Sequence, residues 1–159
     1  MRLLLCRHGE AACNAPTDAQ RPLTERGREA LYFHWQQLRQ EGVQVNQLIA
    51  SPYLRAQQTA ACIARVYGLA DIHTCDSLVP DSTPSLFLEE FITEPLRPGL
   101  ALISHMPMVS QLTAYWTGAG ASRFAFDVGA TACLDVDVAA ANGARLLWLR
   151  NPGSGPGHR

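Results

Sequence analysis

Short apolar runs of strand length alternate along this chain with longer segments in which apolar residues recur at helical spacing. The four clearest runs are residues 2–6, Gln47–Ala50, Leu100–Ser104 and residues 145–149. Strands separated by helix-length segments are typical of βαβ units, in which the strands lie parallel and the helices cover the sheet. The alternation therefore predicts an α/β fold with a largely parallel sheet.

The first helix is marked at both of its ends. Thr24 is a residue type that caps helix N-termini, and Gly42 is a residue type that ends helices. Between them, Leu31, Trp35 and Leu38 fall on one face at helical spacing. We expect this face to lie in the core.

A second helix is expected directly after the second apolar run. Ser51 and Pro52 suit the N-cap and the first helical position, so the helix should run over about residues 53–67. The weaker candidates are helices over 83–92 and from beyond Pro107 to Trp116, and strands over 72–75, 123–127 and 131–138.

Length and composition fit one globular domain. The chain has 159 residues, of which 47% are hydrophobic and 17% are charged, and a chain of this size can bury a substantial core. We find no internal repeat and no linker that would divide it. We assign residues 1–150 to the domain and the Gly- and Pro-rich residues 151–159 to a flexible tail.

Charge and cysteine usage bear on partners and compartment. The formal net charge is −1, so no general basic field would attract nucleic acid or an anionic membrane. No apolar run reaches the length of a membrane span or of a secretory signal core. The five cysteines are odd in number and scattered, which favours free thiols in a reducing compartment. We therefore expect a cytoplasmic protein that binds neither nucleic acid nor membranes.

Chemically distinctive residues directly follow three of the predicted strands. Arg7, His8 and Gly9 follow the first strand, Arg55 comes soon after the second, and His105 follows the third. In open α/β sheets, ligands bind in the crevice beyond the carboxyl ends of the strands. Two histidines and two arginines should therefore converge at one site.

These side chains suit phosphoryl transfer. The planar forks of two arginines match phosphate oxygens and neutralise their charge. A neutral imidazole such as His8 is a competent nucleophile towards phosphorus. The second histidine, His105, would hydrogen-bond the equatorial oxygens in the transition state, and Gly9 would let the backbone approach the ligand.

Four motifs stand in a fixed order within the first 109 residues. They are Arg-His-Gly-Glu-Ala at 7–11, Arg-Pro-Leu-Thr at 21–24 with Gly27, Ser-Pro-Tyr-Leu-Arg-Ala-Gln-Gln-Thr-Ala at 51–60 and Ser-His-Met-Pro-Met-Val at 104–109. In this combination and order they resemble the histidine phosphatase superfamily, and more narrowly its short SixA-type phosphohistidine phosphatases. The first motif alone is weak evidence, whereas the four together are strong.

The resemblance implies a compact, single-domain three-layer α/β/α sandwich of the phosphoglycerate-mutase-like type. It also implies that His8 is the nucleophile that becomes phosphorylated, and that water then removes the phosphoryl group. Arg7, Arg55 and His105 would complete the phosphate pocket. No cofactor or metal ion is expected, because the arginines would supply the charge stabilisation that Mg²⁺ supplies in other phosphoryl-transfer enzymes.

The chain departs from the larger members of that superfamily in the segment before its second histidine. The 49 residues between Arg55 and His105 leave little room for the helical insert and the glutamate general acid that those members carry. An open site suits a phosphorylated side chain on another protein. We therefore expect the substrate to be phosphohistidine on a protein, such as a histidine-containing phosphotransfer domain of a bacterial signalling relay.

Several carboxyl groups are candidates for the acid that assists the leaving group. Asp18 ranks first, because Asp18 and Arg21 lie in the stretch that matches the first loop of the family. Glu10 and Asp81 are the other candidates. Phosphohistidine needs less acid assistance than an alkyl ester, because its imidazole leaves readily once it is protonated.

Two alternatives stay open: the same chemistry acting on a small phosphate ester or sugar phosphate, and a module that binds a phosphorylated partner without turnover. A metal site is disfavoured, because two arginines are poor neighbours for a cation. The sequence has neither a cysteine-phosphatase loop nor a GxxxxGK[ST] loop. We interpret His34, His73 and His158 as structural or solvent-facing.

Overall fold

The computed structural model describes residues 1–91 and 96–153, in which strands and helices alternate as the sequence predicts. The strands are β1 (Arg2–Arg7), β2 (Gln47–Ala50), β3 (His73–Thr74), β4 (Leu100–Ser104), β5 (Thr131–Val136) and β6 (Ala144–Arg150). The helices are α1 (Glu25–Gln40), α2 (Leu54–Tyr67), α3 (Pro84–Phe91) and α4 (Met108–Thr117). Short 3-10 turns occupy Asp18–Gln20, Asp76–Leu78 and Ala121–Arg123.

The strands form one six-stranded sheet in the order β3-β2-β4-β1-β5-β6. Strands β3, β2, β4 and β1 pair in parallel, whereas β5 is antiparallel to both β1 and β6. The central strand β1 places Leu5 opposite Leu102 of β4 on one side and Ala132 of β5 on the other. The predicted α/β fold with a mostly parallel sheet is confirmed.

Helices cover both faces of this sheet. On one face, Leu4 of β1 lies in a core cluster with Trp35 of α1 and Ile63 of α2. On the other face, Leu5 lies in a cluster with Trp116 of α4 and with residues of α3. Because β1 is buried on both faces, its sequence is a continuous apolar run rather than an alternating one. The result is the three-layer α/β/α arrangement that the family resemblance implies.

Helix α1 has the ends and the buried face that its sequence predicts. The Thr24 hydroxyl accepts a hydrogen bond from the N–H of Gly27 at 2.9 Å, as an N-cap should. Leu31, Trp35 and Leu38 are fully buried. The chain turns away after the helix at Gly42, whose φ of +90° favours glycine.

Helix α2 begins at Leu54, within one residue of its predicted start near Tyr53, but its predicted N-cap was wrong by two residues. The N-cap position is Tyr53 rather than Ser51, and no side chain caps the helix there. The Ser51 hydroxyl oxygen, two residues before this position, accepts from the Tyr53 N–H at 3.3 Å and lies 2.8 Å from His105 Nε2. Ser51 therefore joins the residues before α2 to His105, a residue distant in sequence, instead of being the N-cap itself.

The strand predicted over residues 123–127 is absent, and this segment is irregular after the turn at Ala121–Arg123. Phe124 and Phe126 are buried and two residues apart, which imitates the alternation of a strand. Their carbonyl groups, however, accept hydrogen bonds from the side chains of Ser110 and Arg7. The backbone is thus engaged by side chains instead of by a neighbouring strand.

Smaller differences concern segment ends. The strand predicted over 72–75 is reduced to His73–Thr74, and the one predicted over 131–138 ends at Val136, because the next two N–H groups bond to the Gly143 carbonyl in a turn. Helix α3 begins at Pro84, one residue after its predicted start. Residue 92 lies outside the described residues, as do His158 and residues 154–159 of the predicted tail. No helix in the described part of the chain is long and apolar enough to cross a membrane.

The interpretation of His34 as structural gains support from its surroundings. The side chain is buried, with Nε2 lying 3.2 Å from the Thr131 hydroxyl. Burial, with a smaller effect from the positive charge of Arg150 and an opposing one from Glu41, lowers the pKa of His34 to about 4. The imidazole is therefore neutral in the folded protein at neutral pH.

Because the buried imidazole of His34 resists protonation, we predict that the folded protein loses stability in acid. The unfolded chain binds a proton at His34 below about pH 6.5, whereas the folded chain resists it down to about pH 4, so the stabilisation present above pH 6.5 is lost between these values. The loss should amount to about 3 kcal/mol. His34→Gln keeps a partner for Thr131 without a titrating group, so urea unfolding from pH 7 to 4.5 should show a shallower fall. If stability falls with pH as steeply in His34→Gln as in the wild type, the prediction is wrong. His73→Gln, which changes an exposed histidine, serves as the control.

Candidate active site

The carboxyl ends of three strands bring four of the predicted site residues together. His8 directly follows β1, His105 directly follows β4, and Arg55 lies in the first turn of α2. The imidazole centres of the two histidines are 5.0 Å apart, and Arg55 Nε lies 3.3 Å from His8 Nε2. Both histidines and Arg55 are buried. The fourth, Arg7, is the last residue of β1.

Backbone hydrogen bonds extend the sheet past β1 and fix the position of His8. Its N–H donates to the Ser104 carbonyl at 3.0 Å, and its carbonyl accepts from the Gly129 N–H at 2.8 Å. The ring nitrogen Nδ1 lies 2.8 Å from the Gly9 carbonyl oxygen. Because a carbonyl only accepts, Nδ1 carries the proton and Nε2 carries the lone pair.

The environment keeps His8 in its neutral form. Burial, with smaller effects from the charges of Arg55, Arg7 and Arg21, lowers the pKa of His8 to about 4. Near neutral pH the Nε2 lone pair is therefore not protonated. A fixed, unprotonated imidazole nitrogen beside a guanidinium is able to attack an electrophilic phosphorus.

Arg55 reaches three groups with its guanidinium. Besides Nε, which faces His8, Nη1 donates to the Asp18 carbonyl at 2.7 Å and Nη2 donates to the Asp18 carboxylate at 3.2 Å. The guanidinium also lies over the ring of Tyr53, 5.1 Å from its centre. The side chain is only 5% exposed, so its charge acts in a poorly solvated environment.

Arg7 is held by the irregular segment that replaces the predicted strand. Its Nη1 donates to the Phe126 carbonyl at 2.8 Å, and its buried Nε has no hydrogen-bond partner among the described residues. Burial lowers the pKa of this guanidinium. An unsatisfied buried N–H beside His8 fits a site that receives an anion.

Asp18 and Arg21 lie at the edge of this group. The Asp18 carboxylate bridges the two arginines, at 3.0 Å from Arg21 Nη1 and 3.2 Å from Arg55 Nη2. The hydrogen bond from Arg21, and then that from Arg55, holds the pKa of Asp18 below its usual value. The Nε of Arg21 also donates to the Ala12 carbonyl. Both residues of the predicted first loop thus contact the pocket or its edge.

His105 is held between a serine and an aromatic ring. Its Nε2 lies 2.8 Å from the Ser51 hydroxyl, and its ring meets the Tyr53 ring edge-on at 5.2 Å. Burial, with smaller effects from His8 and Arg55, lowers the pKa of His105 to about 3. Sequence reasoning did not include Ser51 or Tyr53 in the site. Their position directly after β2, at the same sheet edge, was the available signal.

Glycine at position 9 allows close packing against α1, whereas the sequence predicted that it allows the backbone to approach the ligand. A Cβ at this position would lie 2.6 Å from Leu31 Cδ1 of α1. The Gly9 N–H is engaged with the Thr59 hydroxyl at 3.0 Å. The close approach that requires glycine is therefore to α1, and the backbone N–H is not available to a ligand.

The other acid candidates lie elsewhere. The Glu10 carboxylate accepts from the Thr24 hydroxyl and pairs with Arg26 at the start of α1. Those two contacts also hold the pKa of Glu10 below its usual value. Asp81 is exposed on the loop before α3. The structure does not join either carboxylate to the two histidines.

The arginines supply the positive charge of the site. Among residues 1–91 and 96–153, no group of three or more His, Cys, Asp or Glu side chains could hold a metal ion. The groups gathered at this edge are instead two guanidinium groups and two imidazoles, one of them with an unprotonated Nε2, and together they suit a tetrahedral oxyanion. Such a site defines a phosphatase that uses histidine.

Comparisons with known proteins agree with this class. The model of the histidine phosphatase superfamily (branch 1) matches residues 3–79. The phosphohistidine phosphatase SixA of Escherichia coli (strain K12) is 32% identical over 123 residues, which cover 72% of this chain and 73% of that protein.

Solved structures extend the agreement to the whole fold. The protein histidine phosphatase SixA complexed with tungstate has a TM-score of 0.84 at 27% identity, covering 96% of this chain and 97% of that one. A putative SixA from Nakamurella multipartitia has a TM-score of 0.79 at 26% identity, covering 96% of each chain. The chain belongs to the histidine phosphatase superfamily, within its SixA-type group, and is a phosphatase. The resemblance seen in the motifs is confirmed.

Proposed function

We propose that this chain removes the phosphoryl group from phosphohistidine on a partner protein, through an intermediate phosphorylated on His8. The observation that carries the chemistry is the geometry of His8. The hydrogen bond from Nδ1 to the Gly9 carbonyl leaves the lone pair on Nε2, and Arg55 Nε lies 3.3 Å from that nitrogen. The similarity to a phosphohistidine phosphatase supports the substrate class.

The reaction takes two displacements. In the first, the lone pair of His8 Nε2 forms a bond to phosphorus while the bond from phosphorus to the partner's imidazole breaks, and that imidazole takes a proton from solvent. In the second, water attacks phosphorus, His8 regains its lone pair and inorganic phosphate leaves. Arg7 and Arg55 would neutralise the equatorial oxygens in both steps, and His105 would donate a hydrogen bond to one of them.

The ionised state of the Asp18 carboxyl group favours a phosphohistidine substrate over a phosphate ester. The first step exchanges one phosphorus–nitrogen bond for another, and an imidazole leaves more readily than an alkoxide. The site needs little help from a general acid in that case. Asp18, the carboxyl group bonded to Arg55, is held in its ionised form by two arginines and is a poor proton donor at neutral pH.

The surroundings of the site support a protein substrate. The described residues between Arg55 and His105 belong to the sheet, to the helices that cover it and to short connections. Pro52, Leu54 and Pro107 are exposed next to the catalytic edge. We propose a histidine-containing phosphotransfer domain of a bacterial signalling relay as the substrate. We also propose a cytoplasmic location, which the five free thiols favour.

The test is a turnover assay with a phosphohistidine-bearing phosphotransfer domain in EDTA, followed by mass spectrometry of the enzyme. We expect loss of phosphate from the domain and acid-labile phosphate on His8. Turnover of small esters but not of the domain would replace this proposal with a small-molecule phosphatase. Binding of the domain without turnover would indicate a recognition module.

Asp18 provides a separate prediction, because its carboxylate accepts from Arg55 Nη2, a donor that a phosphoryl group could use. Asp18→Asn should remove this internal competitor and tighten the binding of inorganic phosphate roughly two- to fivefold, the scale of an exposed ion pair. The value of kcat should stay within about twofold, whereas loss of a true general acid costs on the order of a hundredfold or more.

Phosphate inhibition and pH–rate profiles of Asp18→Asn, compared with those of Asp81→Asn, check this prediction. Asp81 is the other exposed acid candidate on a loop. A large fall in kcat for Asp18→Asn, with loss of the alkaline limb of the profile, would establish Asp18 as the acid rather than as a competitor for Arg55.

A further inference from the structure

Ser51 makes a short hydrogen bond to the second histidine of the site. Its hydroxyl oxygen lies 2.8 Å from His105 Nε2, and both residues are buried. The other ring nitrogen, Nδ1, is buried and has no hydrogen-bond partner within the part of the chain that the structure describes. The location of the ring proton therefore decides what Nδ1 offers, because N–H donates to a phosphoryl oxygen whereas a lone pair repels it.

The hydrogen bonds around Ser51 indicate where that proton lies. The N–H of Tyr53 donates to the Ser51 hydroxyl oxygen at 3.3 Å. If the Ser51 hydroxyl donates to His105 Nε2, then the Nδ1–H of His105 is the one polar group of this serine–histidine pair without a partner. If Nε2 donates to the hydroxyl, both the serine proton and the Nδ1 lone pair are left unsatisfied. The first arrangement costs less in a buried site.

We propose that Ser51 is a positioning residue that keeps the proton of His105 on Nδ1 and so presents an N–H donor to the phosphoryl group. Ser51 acts through His105 and does not itself touch the substrate. The proposal rests on the proposed function only in taking a phosphoryl oxygen as the partner of Nδ1. The proton assignment depends on the hydrogen bonds alone.

The serine is itself fixed on both sides of its backbone. Its N–H donates to the Ile103 carbonyl at 3.0 Å, and its carbonyl accepts from the Gln57 side chain at 2.8 Å. The edge-on contact of the Tyr53 ring holds the imidazole of His105 from another direction. A donor that is oriented before the substrate arrives costs no reorganisation during the reaction.

The direct test is ¹⁵N NMR of histidine-labelled protein at pH 7, with the His105 signals identified by their loss in His105→Gln. Protonated and unprotonated ring nitrogens have well-separated shifts. We expect Nδ1–H in the wild type, a change towards Nε2–H in Ser51→Ala, and Nδ1–H again in Ser51→Thr. Nε2–H in the wild type would overturn the proposal, even if a Ser51 variant failed to fold.

Kinetics test the consequence for the reaction. Ser51→Ala should lower kcat roughly 10- to 100-fold with KM within about twofold, because the lost donor acts in the transition state. Ser51→Thr should recover most of this loss. A changed proton position with an unchanged kcat would overturn the role of the donor. If the phosphohistidine domain is not turned over but Nδ1–H is found, the proposed function fails and the proton assignment stands.

Discussion

His8→Ala is expected to lower turnover by about four orders of magnitude or more, because the variant has no nitrogen to accept the phosphoryl group. The acid-labile phosphate on the enzyme should disappear at the same time. The main chain at this position is held by bonds to Ser104 and Gly129, so the fold should persist. Phosphate release and intact-protein mass spectrometry measure the two effects.

A second variant separates the nucleophile from its anchoring hydrogen bond. His8→Asn keeps a side-chain amide that can donate to the Gly9 carbonyl, the contact that His8 makes through Nδ1, but it has no nucleophilic nitrogen at the Nε2 position. It should be as inactive as His8→Ala. His73→Ala, which changes an exposed histidine of β3, should keep the wild-type rate. Residual turnover of His8→Ala within tenfold of wild type would remove His8 as the nucleophile.

The central strands could be predicted well from the sequence. Strands β2 and β4 have the predicted bounds, Gln47–Ala50 and Leu100–Ser104. Their apolar runs can be recognised in the sequence because strands in the middle of a covered sheet are buried on both faces. Since residues such as His8 and His105 directly follow such strands, their meeting at one edge follows from topology alone.

Contacts between segments distant in sequence were not predictable in the same way. Arg55 and Asp18 are 37 residues apart, and their hydrogen bonds depend on how the loop before α1 folds back over α2. Glu10 was also a candidate from the sequence, ranked after Asp18, and it pairs with Arg26 instead. Two carboxyl groups in one loop thus differ in role because of tertiary contacts that no local pattern records.

Local signals also failed where a side chain had a stronger partner. Ser51 is a good capping residue followed by Pro52, but its hydroxyl bonds to His105. Phe124 and Phe126 alternate as in a strand, but the carbonyl of Phe126 accepts from Arg7. In both cases the departure from the local rule lies at the active site, where polar contacts serve the chemistry.

Arg55→Ala should lower kcat/KM by on the order of a hundredfold or more, as the loss of an electrostatic contact to the transition state does. Arg55→Lys should recover only part of this loss, because an ammonium keeps the charge but not the planar fork that reaches His8 and the Asp18 position together. Arg65→Ala changes an exposed arginine on the same helix and should leave the rate unchanged.

The same variant should also change the titration of the nucleophile. The charge of Arg55 is one cause of the low pKa of His8, after burial. In Arg55→Ala the pKa of His8 should therefore rise from about 4 but stay below 6.5, since the larger cause remains. NMR titration of His8 measures this shift independently of turnover. A full rate with an unmoved pKa would remove Arg55 from the pocket, whereas a lost rate with an unmoved pKa would mean that Arg55 acts on the phosphoryl group without influencing its acceptor.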